Sequence, residues 1–499
     1  MGAAMDWANN PLSYELEVLT LVNNEGVGFD LRAIFLECNI YENIRSNFLS
    51  GELAIADAVG LLENAKLFGQ ESLRIRFKQP FGKGDKIDDA DIIDQIFRIY
   101  KVSQVKKAGQ NTIVYKLNFG APELIQAKRI RISQALRGSM TDIAGRLAKD
   151  HLGLSLEESG NPKLTPYFQV REKSHGDNYH VVVPNWSVNY AINWCCGQAQ
   201  GIGSESGLQD SYFFFQTANG GYRIQSIASM MDVNYLAGDP FSFAPAATVQ
   251  SDLAWDETET GIGAGRRILH YRINSSANVL EGIMHGLFAQ KQITIDNTFK
   301  YQTEKSYSYL ERFYAGKNMA MNEFPFVRQQ PETIYIGDAA GPGEDVNVYP
   351  HLDYGHISSY PDAHTTLESD SHFVNDENNK INQANHNTHL GQSQYRTAVR
   401  QLLKYYTMNL LLPTRTDISV GQLINLDIPP TRGLTTEKNA ALFHSGKHLI
   451  TQIKWSFTQN ECRTNIKVIK DSVINQIETT LPEYSPLVYH GTYGPEGTA

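Results

Sequence analysis

Two β-patterned stretches near opposite ends of the chain limit what it can fold into. SLRIRF, residues 72–77, places Leu73, Ile75 and Phe77 on one side and Arg74 and Arg76 on the other. That period of two residues belongs to a strand with one buried face. YELEVLTLV (14–22), residues 31–41, GELAIADA, IFRIYKVSQV (96–105) and NTIVYKLNF (111–119) are also strand-like, and KKAGQ forms a turn between the last two. Together they predict an antiparallel unit of about six strands, long enough to curl into a small barrel. In it Cys38 lies on an apolar strand face with Ile34, Leu36 and Ile40.

The second stretch reads YYTMNLLL, GQLINLDI, GKHLITQIKWSF and ECRTNIKVIKDS. Its spacing echoes the first. Gly69-Gln70 opens a strand, and Phe97 follows Gly69 by the same 28 residues that separate Leu449 from Gly421 of Gly421-Gln422. The hairpin partners, Ile113 and Thr464, lie 16 and 15 residues further on. One β unit occurring twice accounts for this spacing. Two unrelated β regions of low mutual identity also account for it.

Between the two the pattern turns mixed. Ser139 before MTDIAGRLAKDHLG, with Asp142 three residues on, predicts a capped helix ending at Gly153. Leu136, Met140, Ile143 and Leu147 form its apolar stripe. VPNWSVNYAINWCCGQAQ predicts a turn and then a helix with Val188, Ala191, Ile192 and Cys195 on its apolar side. SYFFFQTANGGYRIQSI predicts a hairpin turning at Asn219-Gly220-Gly221. A further helix is expected near Val279–Phe288, and another at TAVRQLLKYY. Residues 331–395 are rich in Pro, Gly, Asp, Asn and His and predict long loops.

The chemistry-bearing residues are sparse. Four cysteines occur in 499 residues, and only Cys195 and Cys196 are close. Adjacent cysteines do not fit the C-x-x-C spacing of zinc or redox sites, so reduced core thiols are expected. Nothing matches a nucleophile elbow; in GIGSESG, Glu205 stands where the serine would be. No phosphate loop of the G-x-x-x-x-G-K-[ST] type and no H-E-x-x-H occurs. GIGAGRR (261–267) predicts a turn rather than a phosphate cradle. Six of the 14 histidines fall between His351 and His389 with irregular spacing. They read as solvated loop residues, with His386 and His389 the pair to test if a metal were found. No cofactor is expected. The longest apolar runs are too short to span a membrane, and the N-terminus has no secretory pattern. A net charge of −10 argues against binding nucleic acid through phosphate neutralisation.

The order of the motifs resembles that of the central baseplate hub proteins of contractile-tailed bacteriophages. VPNWSVNYAINWCCGQAQ…SYFFFQTANGGYRIQSIASM is similar to that family's Pro-Asn-Trp turn, short helix with a second tryptophan, aromatic strand and Gly-turn hairpin. YRINSSANVLEGIMHGLFAQKQITIDNTFKYQTEKSYSYLERF and VGQLINLDIPP…HSGKHLITQIKWSF resemble its next two blocks. Residues 331–395 and the tail depart from the pattern.

The resemblance implies a mainly β chain with two similar small antiparallel, tail-tube-like β-barrels and an inserted α+β domain. The expected boundaries are 1–125 for the first barrel, 126–330 for the insert, 331–395 for a long loop, 396–480 for the second barrel and 481–499 for an extended tail. Hairpin 212–231 packs with either the insert or the second barrel. The resemblance also implies a non-enzymatic homotrimer in the virion baseplate, whose six barrels form a pseudo-sixfold ring. Its partners would be the tail tube protein, the central spike and the surrounding wedge proteins, and DNA would pass through without specific binding. As a hypothesis, an acidic lumen would let DNA slide past. Trp186 and Trp194 are expected to anchor the insert to its neighbours, and Gly69 and Gly421 to mark the two barrels. The alternatives are a hub of a related contractile injection or secretion apparatus, a tail-associated cell-wall hydrolase, and a sugar-binding protein using Tyr354 and Tyr360.

Overall fold

The structure is a computed structural model. It describes residues 12–79, 92–155, 167–174, 179–199, 201, 211–231, 240–245, 264–275, 278–296, 301–309, 313, 318–322, 365–369, 374–375, 381–382, 386–428 and 444–474.

The first β region holds β1 (Glu15–Val22), β2 (Gly28–Asp30), β3 (Phe35–Asn43), β4 (Ser50–Asp57), the one-turn α1 (Leu61–Asn64), β5 (Ser72–Lys78), β6 (Ile93–Lys107) and β7 (Ile113–Gly120). The alternation predicted for SLRIRF is realised: Leu73, Ile75 and Phe77 of β5 are fully buried, and the arginines between them reach the surface.

An α+β layer follows, with α2 (Pro122–Arg129), β8 (Arg131–Gly138), α3 (Met140–Leu152), β9 (Phe168–Val170), β10 (Tyr179–Ser187), α4 (Val188–Gln198), β11 (Tyr212–Thr217), β12 (Gly221–Ser226) and α5 (Ile227–Met231). Ser139 caps α3 as expected, its Oγ accepting from Asp142 N at 3.1 Å, and Gly153 ends the helix. Then come β13 (Phe241–Pro245), β14 (Arg267–Ile268), β15 (His270–Ser275), α6 (Val279–Met284), β16 (Ala289–Asp296) and β17 (Tyr301–Ser308). Short strands β18 (Thr365–Ser369), β19 (Val374–Asn375) and β20 (Ile381–Asn382) precede α7 (His386–Tyr405). The chain returns to β structure with β21 (Thr407–Leu412), β22 (Leu423–Leu426), β23 (Gly446–Phe457) and β24 (Cys462–Ile469).

The two β regions share one 14-stranded sheet, mostly antiparallel, because β3 pairs with β23. A single apolar core runs beneath both, from Leu19 and Phe77 to Trp455 and Val468. A second core serves the α+β layer.

The echo in spacing has a structural counterpart. In the first region the strands neighbour one another in the order β5-β6-β7-β4-β3, and in the second the order is β22-β23-β24-β21-β15. The registers correspond. Ser72 pairs with Arg98 and Leu423 with Leu449. Ile99 N donates to Glu71 O and Ile450 N to Gln422 O, both at 2.9 Å. Each long strand carries a bulge at the next position, between Ile99 and Lys101 and between Ile450 and Gln452. The turn before each unit is closed alike: Phe68 N donates to Glu71 Oε1 at 2.7 Å and Ser419 N to Gln422 Oε1 at 3.0 Å. The true correspondence is therefore Glu71 with Gln422, one residue away from the Gly-Gln match visible in the sequence.

The second unit is discontinuous. β15 belongs to it although it lies within 126–330, the stretch expected to be insert. The segment from α6 through α7 is spliced between β15 and its neighbour β21. Part of that segment, β16 with β17 and β18, forms a separate three-stranded sheet.

Four local expectations change. Pro184-Asn185-Trp186 is not a free turn but the irregular end of β10, whose pairing with β8 shifts between Val183 and Trp186. Asn185 takes a positive φ of 53° there, which lets the strand run directly into α4. Leu36 is exposed rather than on the apolar face, because the β3–β4 ladder slips between Phe35 and Glu37. Leu136 packs in the core of α3 from strand β8, not from the helix itself. Residues 331–395 include β18, β19, β20 and the start of α7; the rest of that stretch and the expected extended tail lie outside the described residues.

Candidate functional site

The β3–β23 seam joins the two units, and its chemistry centres on Glu42. This β3 carboxylate is 1% exposed. Its Oε2 accepts from Ala218 N at 2.8 Å, at the tip of the β11–β12 hairpin, and its Oε1 accepts from Val420 N at 2.7 Å, in the turn before β22. One side chain thus ties the first unit, the hairpin and the second unit together. Burial pushes its carboxyl up to about 7, opposed by the two amides and by the charge of Arg223.

Other bonds converge on the same three-way junction. Thr416 N donates to Gln79 Oε1 at 3.1 Å, Asn219 Nδ2 to Thr416 O at 3.1 Å and Gln95 Nε2 to Ala218 O at 2.7 Å. Hairpin 212–231 accordingly serves both cores: Phe214 and Tyr222 face the α+β layer, and Phe215 and Met230 face the joint β core.

Across the seam the sheet presents one continuous polar face. It spans eight strands in the order β15-β21-β24-β23-β3-β4-β7-β6. Two contacts stitch it at the seam: Lys454 Nζ lies 5.7 Å from the centroid of the Tyr41 ring, and Ser456 Oγ donates to Glu37 Oε1 at 3.2 Å. Further along, Lys116 pairs with Glu52 at 3.3 Å and Ser103 Oγ donates to Asn118 Oδ1 at 2.8 Å. Basic side chains outnumber acidic ones on it: Lys101, Lys116, Lys454, Arg463 and Lys467 stand against Glu37 and Glu52. The net −10 of the chain is not concentrated on this face.

The residues singled out in the sequence are dispersed. Trp186 and Trp194 pack on each other, centroids 5.5 Å apart, half-buried at the margin of the α+β core. The β3–β4 loop, which sequence reasoning missed, also fastens this layer to the first unit. Phe48 inserts into the α+β core 6.4 Å from Phe214 and 6.1 Å from Tyr222. Beside it Asn47 Nδ2 donates to Asn193 Oδ1 at 2.9 Å, and Leu49 N donates to Gln216 Oε1 at 2.9 Å. An apolar residue inside a polar loop, in IRSNFLSG, was the only available signal.

Gly69 and Gly421 both adopt positive φ, 90° and 81°, at the start of the two units. A Cβ on Gly69 would meet the carbonyl carbon of Tyr100 at 3.3 Å, whereas one on Gly421 would meet the tip of the Phe215 ring at 3.3 Å. Left-handed backbone disfavours alanine by about 1–2 kcal/mol. Gly69→Ala is expected to cost more than Gly421→Ala, because a ring can swing aside and a backbone cannot. Paired denaturant titrations of the two variants check that order.

His386 and His389 lie on α7, with side chains outside the described residues; Tyr354 and Tyr360 lie outside them altogether. All four cysteines are buried free thiols, and burial pushes Cys195 up to about 12. Among the described residues no cluster of three or more metal-ligating side chains occurs, and no helix is long and apolar enough to cross a membrane.

No family model and no curated protein matches the chain. Solved structures do. The 43 kDa tail protein of prophage MuSo2 from Shewanella oneidensis aligns at 8% identity over 91% of this chain and 98% of that one, with a TM-score of 0.46. A tail protein from Neisseria meningitidis MC58 aligns at 8% identity over 92% and 97%, with a TM-score of 0.44. The c3393 protein of E. coli, a type VI secretion component described as structurally similar to the T4 tail proteins gp27 and gp5, aligns at 7% identity over 93% and 80%, with a TM-score of 0.37. Of these three solved structures, two are tail proteins and one is a component of a secretion apparatus.

Proposed function

We propose that this chain is a structural, non-catalytic hub that assembles as a homotrimer in the baseplate of a contractile tail. Three chains with two β units each present six similar surfaces in a ring. Such a ring matches a sixfold tube on one side and a threefold spike on the other. The observation that carries the reading is the duplicated five-strand unit, with equal strand order, matching register and the same bulge. A duplication joined edge to edge converts threefold symmetry into approximate sixfold symmetry. The order of sequence motifs shared with tail hub proteins supports the same reading. In the ring the polar face of the eight-stranded array lines the opening through which DNA passes. An acidic lumen is not part of this reading.

Native mass spectrometry tests it. The expected species is a trimer, three times 55.9 kDa, that takes up three copies of the cognate spike protein. A chain that stays monomeric with the spike and the tube protein present sinks the proposal. A peptidoglycan zymogram is expected to be blank; a cleared band would overturn the non-catalytic part.

A further inference from the structure

Where β3 ends against the bulge of β23, the polar face sinks into a cleft. It consists of two adjoining hollows, of about 240 and 120 Å³, that share Asn43, Gln452 and Lys467. The ladder registers set its side chains in rows. Asn43, Gln452, Lys467 and Asn409 lie side by side on β3, β23, β24 and β21. Tyr41, Lys454 and Asn465 form the next row, two residues along and roughly 7 Å away. Arg45, just after β3, and Lys404, in the last turn of α7, close one side. Arg400 stands one helical turn before Lys404.

Five cations thus gather here with no carboxylate set against them. Arg45, Arg400, Lys404, Lys454 and Lys467 have no ion pair among the described residues. On β5, by contrast, Arg74, Arg76 and Lys78 are each paired with an acidic side chain. Glu42 borders the cleft, but its carboxylate is turned to the opposite face, where Ala218 N and Val420 N hold it. Partial burial and the charge of Arg45 both hold the Arg400 guanidinium below its ordinary range. An anion bound between such like charges relieves their repulsion. The net charge of the chain is no bar to this. Residues 329–379 contain ten Asp or Glu and no Lys or Arg, which accounts for the whole net charge of −10. The lining also selects the kind of anion. Its apolar members, Ile44, Leu403, Ile453, Ile466 and Ile469, are all buried and offer no anchor to a peptide side chain. Donors spread over two rows, with carboxamides between the charges, suit an anion with many acceptor oxygens.

From this geometry we infer that the cleft is a phosphate site that takes two or more linked phosphate groups at once. A nucleic-acid strand and a free polyphosphate both supply that chemistry. The site lies within one chain, so it stands or falls independently of the ring.

Binding to the full chain at low salt tests it, with a labelled single-stranded oligonucleotide followed by anisotropy and tripolyphosphate followed by calorimetry. Arg45→Gln with Lys467→Gln removes two cations from the cleft. Lys128→Gln with Lys149→Gln removes two exposed cations from α2 and α3 and leaves the same net charge. The cleft variant is expected to bind about tenfold or more weakly. Its oligonucleotide binding is expected to lose about 1–2 from the slope of log affinity against log salt. The control variant is expected to bind like the wild type. This pattern with the oligonucleotide identifies a strand as the source of the phosphates. The same pattern with tripolyphosphate alone identifies a small polyphosphate. Equal losses in both variants reduce the effect to general surface charge and overturn the site. Poly-glutamate that displaces the probes as well as tripolyphosphate does, at equal charge, overturns the phosphate assignment in favour of an acidic peptide. A native trimer that binds neither probe overturns this inference and leaves the hub reading standing.

Discussion

Replacing Glu42 by alanine is expected to lower the unfolding free energy by about 2–6 kcal/mol, since each buried N–H left without an acceptor costs about 1–3 kcal/mol. The two donors, Ala218 N and Val420 N, are both buried and both depend on this carboxylate. The loss is expected in chemical denaturation at pH 5 and in early proteolysis within the hairpin tip. Glutamine separates the geometry from the charge. It keeps one acceptor oxygen and sets its NH2 against the other amide, so Glu42→Gln is also destabilising at low pH. Its pH dependence, however, differs from that of the wild type. The folded carboxyl titrates near 7 and the unfolded one near 4.5. The native state therefore keeps the proton across that window while the unfolded state releases it. The stability contributed by Glu42 is whole below the lower value and is lost as pH rises through the upper one, by about 3 kcal/mol. His448, held down to about 3 by burial, acts in the opposite direction over an overlapping range, so a raw stability profile mixes the two. The difference between wild type and Glu42→Gln isolates the carboxyl. It should shrink by about that amount between pH 4.5 and 7.5, and a constant difference would show that Glu42 does not titrate there.

Trp455→Ala is the second large effect. Trp455 is fully buried on β23, opposite Ile40 of β3 on one side and Thr464 of β24 on the other. Removing a buried indole costs about 3–5 kcal/mol through lost transfer energy and the cavity left behind. This residue also holds a turn. Its Nε1 donates to Arg415 O at 2.7 Å. The buried Arg415 guanidinium pairs with Asp417, donates to Gly265 O at 3.1 Å and lies 5.3 Å from the Phe241 ring. Gly265 sits just before β14 and β15. Trp455→Phe refills most of the space but frees the Arg415 carbonyl, at a cost of about 1–2 kcal/mol. The alanine variant is therefore expected to melt earlier than the phenylalanine variant. Equal melting of the two would place the whole effect in the hydrogen bond and none in the packing.

Much of this fold was legible in the sequence because strands with one buried face write their pattern residue by residue. SLRIRF, YYTMNLLL and GKHLITQIKWSF needed nothing more. The cap at Ser139 and the turn at Asn219-Gly220-Gly221 were readable for the same local reason. The seam was not. Glu42 looks like any polar residue of an alternating strand, and its burial depends on two amides that lie 176 and 378 positions away. Phe48 gave no signal beyond being apolar in a loop. The discontinuity of the second unit was hidden because β15 is short and its partner β21 lies beyond the spliced segment. The duplication was visible only as spacing, and its Gly-Gln signature pointed one residue away from the true correspondence.

The seam also bears on how the chain is made. A ribosome extends a chain by roughly 5–20 residues per second, so the first unit is complete some tens of seconds before the end of β23 has been synthesised. During that interval β3 sits at the margin of a nascent sheet with nothing beside it. An inward-pointing carboxylate is one of the devices that keep such a margin from annealing to the wrong partner. Until the amides of Ala218 and Val420 arrive, Glu42 does not settle into the interior, and any stray strand that covered it would bury a bare charge. The residue that locks the finished seam therefore also guards it while the chain is unfinished.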